Sequence, residues 1–287
     1  MKSFDVASFA RFTDAAALFL KDHCGQAEVT NAVLAVAGPV EAERCVLTNC
    51  SWVIDAQELY DTFRLKARII NDFEAVAHSL PSLTSADLVR IGGGQAKPGA
   101  PMVVLGPGSG LGAAGLIPGF GKPIVIPSEG GHATFAATCE REDEIITHLR
   151  RRFGHVSAER VISGEGLQNI YQAIIALDRL NIAPRSAADI TKSALSGDCQ
   201  VTRETLETFC AFLGSFAGNV VLTFGARGGA YIAGGIPPRI VDFVARSEFR
   251  NRFEAKGRFQ PYLEAVPSFM IVHPAAAFLG LMSLSDL

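Results

Sequence analysis

The side chains equipped for chemistry stand in three short segments. Asn71-Asp72 closes the apolar run Ala67-Arg68-Ile69-Ile70, and polar residues at the carboxyl end of a buried strand are where α/β proteins hold ligands. A carboxylate there can accept a proton from a hydroxyl while the adjacent amide fixes the substrate's orientation. The same Asn-Asp pair also serves as an Asx turn or a helix cap. In Ser128-Glu129-Gly130-Gly131-His132, two glycines separate a carboxylate from an imidazole, so both can reach a polyhydroxylated ligand through a permissive backbone. By itself His132 also reads as a structural histidine, and no second ligand at metal-binding spacing accompanies it. Glu159 stands in His155-Val156-Ser157-Ala158-Glu159-Arg160. It is either a further ligand or an acid placed to favour a helix dipole.

A fourth segment is backbone chemistry. Gly108-Ser109-Gly110-Leu111-Gly112 follows the apolar run Met102 to Leu105. Its first residues, with Ala113, satisfy the G-x-G-x-x-A dinucleotide fingerprint, and Glu129 lies near the distance of a ribose acid. A dinucleotide turn must run directly into a helix, however, and LGAAGLIPGFGKPIVIP is broken by Gly115, Pro118, Gly119 and Gly121. That pattern predicts a hairpin. A glycine hairpin can still converge its N–H groups on a phosphate, or be a tight turn only.

Around these groups the chain must build a sizeable core. It has 287 residues, 48% hydrophobic and 19% charged, with 28 glycines. This is the composition of a globular protein with many tight turns, long enough for two lobes or one large α/β unit. The net charge of -3 and the absence of a basic run longer than Arg150-Arg151-Arg152 exclude the electrostatic footprint of a nucleic-acid binder. The N-terminus lacks an apolar h-region, and no stretch reaches 18 uninterrupted apolar residues, so neither export nor membrane insertion is expected. Six scattered cysteines without a C-x-x-C suit reduced thiols in a cytoplasm.

The elements follow from pattern. Asn31 to Val40 and Cys45 to Thr48 read as strands, Asp55 to Leu65 as a helix, and Ala67 to Ile70 as a strand that delivers Asn71 and Asp72. The connection SLPSLTSADL marks the lobe boundary. Beyond the hairpin, Leu167, Ile170, Tyr171, Ile174 and Leu177 repeat at helical spacing. Ser186 with Asp189 opens a second helix that stops at Gly197, and Leu206, Phe209, Leu213, Phe216 and Val220 stripe a third. The glycine-rich strand Gly228 to Gly235, the strand Phe269 to Val272 and a helical tail near Pro274 complete the chain.

In this order, LTNCSW (Leu47 to Trp52), IINDFEAV (Ile69 to Val76), GPGSGLG (Gly106 to Gly112), SEGGH (Ser128 to His132) and HVSAERVISGEGL (His155 to Leu167) closely resemble the bacterial glucokinase family. GGAYIAGGIPPR (Gly228 to Arg239) and KGRF (Lys256 to Phe259) agree. The resemblance implies an α/β, two-lobed actin-like ATPase (ribonuclease H-like) fold, shared with hexokinases, in which lobe closure shields the reaction from water. Residues 1–82 plus 273–287 would form the small lobe and 83–272 the large one. It implies Asp72 as the general base for the 6-hydroxyl of glucose, and Asn71, Glu129, His132, Glu159 and Asn49 as sugar ligands. Gly108, Ser109, Gly110 and Gly112, with Gly234 and Gly235, would hold MgATP for in-line phosphoryl transfer. No Cys-rich loop follows His132, which points to the branch of the family without zinc. A homodimer is the default assembly.

The chain also departs from the family. The Asp-x-Gly-Gly-Thr phosphate turn that ends the family's first strand is absent from the sequence, and Met1 to Ala7 matches the family's third strand. A small lobe lacking its first strands would leave Asn31 to Val40 with an unpaired edge. It would also lose phosphate donors worth about 3 kcal/mol each in the transition state. A poor kinase is expected on that ground. Either the true start lies upstream, or the product is a non-catalytic sugar-binding remnant or sensor.

Overall fold

The computed structural model describes residues 2–25, 27–47, 50–119 and 121–284. In chain order its strands are β1 (Asn31–Val36), β2 (Arg44–Val46), β3 (Val53–Asp55), β4 (Lys66–Asn71), β5 (Leu88–Gly92), β6 (Met102–Pro107), β7 (Leu111–Ile117), β8 (Ile124–Ser128), β9 (Gly229–Ile232) and β10 (Ser268–Ile271). The helices are α1 (Phe12–His23), α2 (Ala56–Phe63), α3 (Asp72–Ser79), α4 (Glu140–Phe153), α5 (Gly164–Leu177), α6 (Ala187–Ser196), α7 (Gln200–Phe224), α8 (Val241–Arg246), α9 (Phe249–Glu254), α10 (Gln260–Glu264) and α11 (Ala276–Met282). They fall into two compact units, Met1–Ser82 with Ala275–Leu287, and Leu83–Pro274.

In the N-terminal unit β1 and β4 pair in parallel, with Asn31 opposite Lys66 and Val36 opposite Asn71. A parallel pair needs a long crossover, and the β2–β3 hairpin and α2 supply it. Asp55 starts α2 by accepting from the N–H groups of Gln57 and Glu58, while Arg64 ends it in the left-handed region at φ 60°. Among the described residues β1 pairs with β4 alone. The apolar run continues past Val36, but the strand stops there and turns through Gly38. Where a strand was expected over Met1 to Ala7, residues 2–9 hold none. Asp5 accepts from Ala7 N–H and closes a 3-10 turn at Val6–Ser8, a local bond that competes with strand pairing.

The central unit carries a six-stranded sheet in the order β5-β10-β9-β6-β7-β8. The inner strands β10, β9 and β6 are parallel, and the flanking strands are antiparallel. Val103, Val104 and Leu105 are fully buried, as an inner strand covered on both faces requires. The sequence GPGSGLGAAGLI makes the β6–β7 hairpin, with Gly106 opposite Gly112, where the fingerprint would have demanded a helix. Ser186 caps α6 through Asp189 N–H, and Gly197 ends it in the left-handed region. By length and composition α7 could cross a membrane. Here Leu206, Phe209, Phe212 and Leu213 are fully buried along it, and it is the central helix of the core.

Candidate active site

In the central unit the glycine turn links β6 to β7. Gly108 N–H donates to the Gly110 carbonyl at 2.8 Å. Among the described residues no backbone carbonyl accepts from the N–H of Ser109 or Gly110, which leaves both donors available to a ligand such as a phosphate oxygen. Gly164, the first residue of α5, donates to the Gly108 carbonyl at 2.9 Å. This places the positive end of a 14-residue helix against the turn. Ser163 caps that helix through Gly166 N–H. The Gly234-Gly235 pair lies beside the same turn: Ala233 N–H bonds Leu105 and Ile236 N–H bonds Pro107. Gly234 has φ +91° and packs so closely on the Pro107 carbonyl that a side chain has no room.

The second cluster grows from the end of β8. After Ser128 the chain passes through Glu129 into a 3-10 turn at Gly130–His132. Ser128 Oγ accepts from Gly130 N–H at 3.0 Å and Glu129 O from His132 N–H at 3.0 Å. His132 then stands between two carboxylates, with Nε2 3.7 Å from Glu129 Oε2 and Nδ1 4.0 Å from Glu159 Oε1. The side chains are 67% (Glu129), 60% (His132) and 32% (Glu159) exposed, open to a ligand from solvent. Glu159 does not begin a helix: it lies in a turn ahead of α5, which removes the helix-dipole reading. Its N–H donates to the Gly131 carbonyl at 2.9 Å, and its Oε2 accepts from Leu111 N–H at 2.9 Å. Carboxylate, imidazole, carboxylate is a set of acceptors and donors suited to ring hydroxyls.

In the N-terminal unit Asn71 and Asp72 occupy the junction of β4 and α3. Asn71 Oδ1 accepts from Phe73 N–H at 2.8 Å and from Glu74 N–H at 3.4 Å, which makes it the helix N-cap. Its Nδ2 donates to the Gly38 carbonyl at 3.2 Å. The cap reading and the ligand reading coexist, because capping fixes the side chain without using all its valences. Asp72 is the first helical residue, and its Oδ1 accepts from Phe73 N–H at 2.9 Å. Along the same helix, burial raises the pKa of Glu74 in the first turn, with Arg68 partly offsetting it, and burial lowers that of His78 in the last. Asn49 lies outside the described residues.

Sequence reasoning missed the supporting contacts. Leu111 N–H is a partner of Glu159 across 48 positions, and nothing local signals it. Gly164 could have been found, since Ser-Gly-Glu-Gly ahead of an apolar stripe is a helix start. Lys256 in the KGRF segment donates to the Ser215 carbonyl at 3.0 Å, with burial lowering its pKa.

Comparison with known proteins adds an independent line. A family model described as Glucokinase matches residues 1–286. The glucokinase of Paramagnetospirillum magneticum is 46% identical over 268 residues, covering 93% of this chain and 84% of that protein. A bifunctional protein of Burkholderia pseudomallei is 43% identical over 284 residues, 97% of this chain but 43% of the longer protein. The crystal structure of a glucokinase from an Antarctic psychrotroph superposes with TM-score 0.87 at 35% identity, covering 99% of this chain and 88% of that one.

Proposed function

The chain belongs to the glucokinase family and has its actin-like ATPase fold, and from that premise we propose that it transfers the γ-phosphoryl group of ATP to the 6-hydroxyl of glucose. In this reading Asp72 takes the hydroxyl proton as general base. Asn71, Glu129, His132 and Glu159 hold the ring hydroxyls, with Asn49 as a further contact. Gly108, Ser109, Gly110 and Gly112, with Gly234 and Gly235, hold the nucleotide. The two compact units are the two lobes.

One observation carries the reading. The Glu129–His132–Glu159 cluster is hydrogen-bonded through Glu159 to Leu111, the residue at which the glycine turn enters β7. In this reading sugar and phosphate recognition share one framework. Phosphoryl transfer asks the protein mainly for positioning and charge neutralisation. Among the described residues no group of three His, Cys, Asp or Glu is set to hold a metal. Mg²⁺ enters this proposal with ATP, where it offsets phosphate charge. The cysteines among the described residues are all free thiols, in keeping with a cytoplasmic enzyme at the entry of sugar breakdown. Neither fold nor relatives favour the sugar-sensor alternative.

The test is glucose 6-phosphate formation from glucose and MgATP by the purified protein, read by a dehydrogenase-coupled assay with mannose and fructose as competitors. Slow turnover, limited by the absent Asp-x-Gly-Gly-Thr phosphate turn, with glucose as the preferred hexose is the expected outcome. No product together with no glucose binding at millimolar substrate would overturn the assignment.

A further inference from the structure

Glu159 is tied to both halves of the proposed site at once. Its backbone N–H holds the Gly131 carbonyl in the sugar-side loop, and its Oε2 holds Leu111 N–H, where the glycine turn opens into β7. Its Oε1 faces His132 Nδ1 at 4.0 Å. The approach is so close that only hydrogen fits between the segments. A methyl on Gly110 would lie 2.5 Å from Glu159 Oε2, and one on Gly131 would collide with the Leu111 carbonyl oxygen. A side chain at position 110 would therefore push the Glu159 carboxylate away from its present place.

We infer that Glu159, beyond binding sugar, positions the phosphate turn, so that sugar and nucleotide reinforce each other's binding through this one carboxylate. The inference rests on the reading above that Glu159 is a sugar ligand. The carboxylate is one-third exposed, with Oε1 facing His132 and Oε2 accepting from Leu111 N–H. A sugar hydroxyl donating to Oε1 adds an anchor to the carboxylate, which further fixes Leu111 and the turn it ends. The nucleotide then meets an ordered loop and loses less entropy on binding. Linkage makes the effect reciprocal: nucleotide must tighten sugar by the same factor.

Calorimetric titration of glucose, with and without saturating Mg²⁺ and a non-hydrolysable ATP analogue, measures the coupling. In the wild type the analogue is expected to tighten glucose by about 5-fold or more. In Glu159→Ala the nucleotide analogue is expected to bind more weakly even without sugar, with Glu159→Gln restoring much of that affinity because its amide oxygen can still accept from Leu111. Gly110→Ala, a change on the phosphate turn, is expected to weaken glucose by about 5-fold or more with no nucleotide present. If Glu159→Ala weakens glucose alone, leaving sugar-free nucleotide affinity intact, and Gly110→Ala leaves glucose affinity intact, the inference is wrong.

Hydrogen exchange at the Leu111 amide separates this result from failure of the functional reading. Exchange is expected to accelerate in Glu159→Ala whether or not the protein binds glucose. Unchanged exchange overturns the tie itself, whereas accelerated exchange in a protein that binds no glucose overturns only the sugar assignment.

Discussion

The two units are stabilised on different scales. In the central unit one contiguous core runs from Val103 and Leu105 on β6 through Ile145 and Leu149 on α4 to Phe209, Phe212 and Phe216 on α7. Among the described residues of the N-terminal unit, Val36, Cys45, Ile54 and Ile69 make one small buried group and Ile70, Ala75 and Leu284 another. Beside them Phe4, Phe12, Phe19, Leu20 and Leu65 line an open apolar groove of about 390 Å³. Folding free energy follows buried area, so the proposed sugar-binding loops grow from the large central core and the proposed base from the smaller N-terminal unit. The lesson is that Asp72 is held by local devices. The Asn71 cap, the Gly38 carbonyl and the packing of α11 on α3 do for it what bulk core does for Glu159.

The largest expected contrast is in native-state hydrogen exchange. Amides of β6 and α7 are expected to exchange through global unfolding and those of β1 and β4 through smaller openings. Equal protection in both units would break the comparison. Next in size, Phe212→Ala removes a fully buried ring that contacts Phe135 at 4.8 Å between centroids. It should cost about 3–5 kcal/mol in urea unfolding of the central unit. Arg252→Ala should cost about 3 kcal/mol, because it abandons Glu142, which is 5% exposed and otherwise bonded only to Thr138 among the contacts of its carboxylate. Arg203→Ala, which breaks a pair with both side chains half exposed, should stay within about 0.5 kcal/mol. In the N-terminal unit Ile69→Val should cost about 1 kcal/mol.

The smallest effect is a pH dependence. Burial, with Arg68 adding to it, holds the His78 imidazole below its usual pKa. The unfolded chain therefore takes up this proton first as pH falls. Its contribution to stability is complete above about pH 6.5 and is lost as pH drops through the folded value. Glu74, facing His78 at 3.9 Å and Arg68 at 3.9 Å, has its pKa raised by burial and contributes with the opposite sign on the acid side. His78→Gln should flatten the stability profile between pH 7 and 6, and an unaltered slope would show that this histidine is not the cause.

Much of the framework was legible because sequence and tertiary structure agreed locally. The apolar stripes of α5 and α7, the Ser186 cap and Gly197 stop of α6, and the broken glycine pattern of the β6–β7 hairpin each name their element. Other elements were not legible. The sequence of α4, EREDEIITHLRRRF, shows few apolar positions, and its Glu142 is buried only because Arg252 comes to meet it. The short edge strand β5 carries Arg90 in its middle, and the N-terminal 3-10 turn is set by one aspartate. Within the candidate site the residue types were visible and their mutual contacts were not. Gly110 and Gly131 could be read as flexible, whereas the structure makes them a matter of clearance around Glu159 and Leu111.

The comparison of the units leads to one direct measurement, glucose 6-phosphate formation by Asp72→Asn beside the wild type, with glucose affinity measured on the same preparations. The amide keeps the shape of the side chain and cannot take the proton, so turnover should fall by about 10²–10⁴-fold while glucose affinity stays within about tenfold. Undiminished turnover in the variant would contradict the assignment of Asp72 as the base.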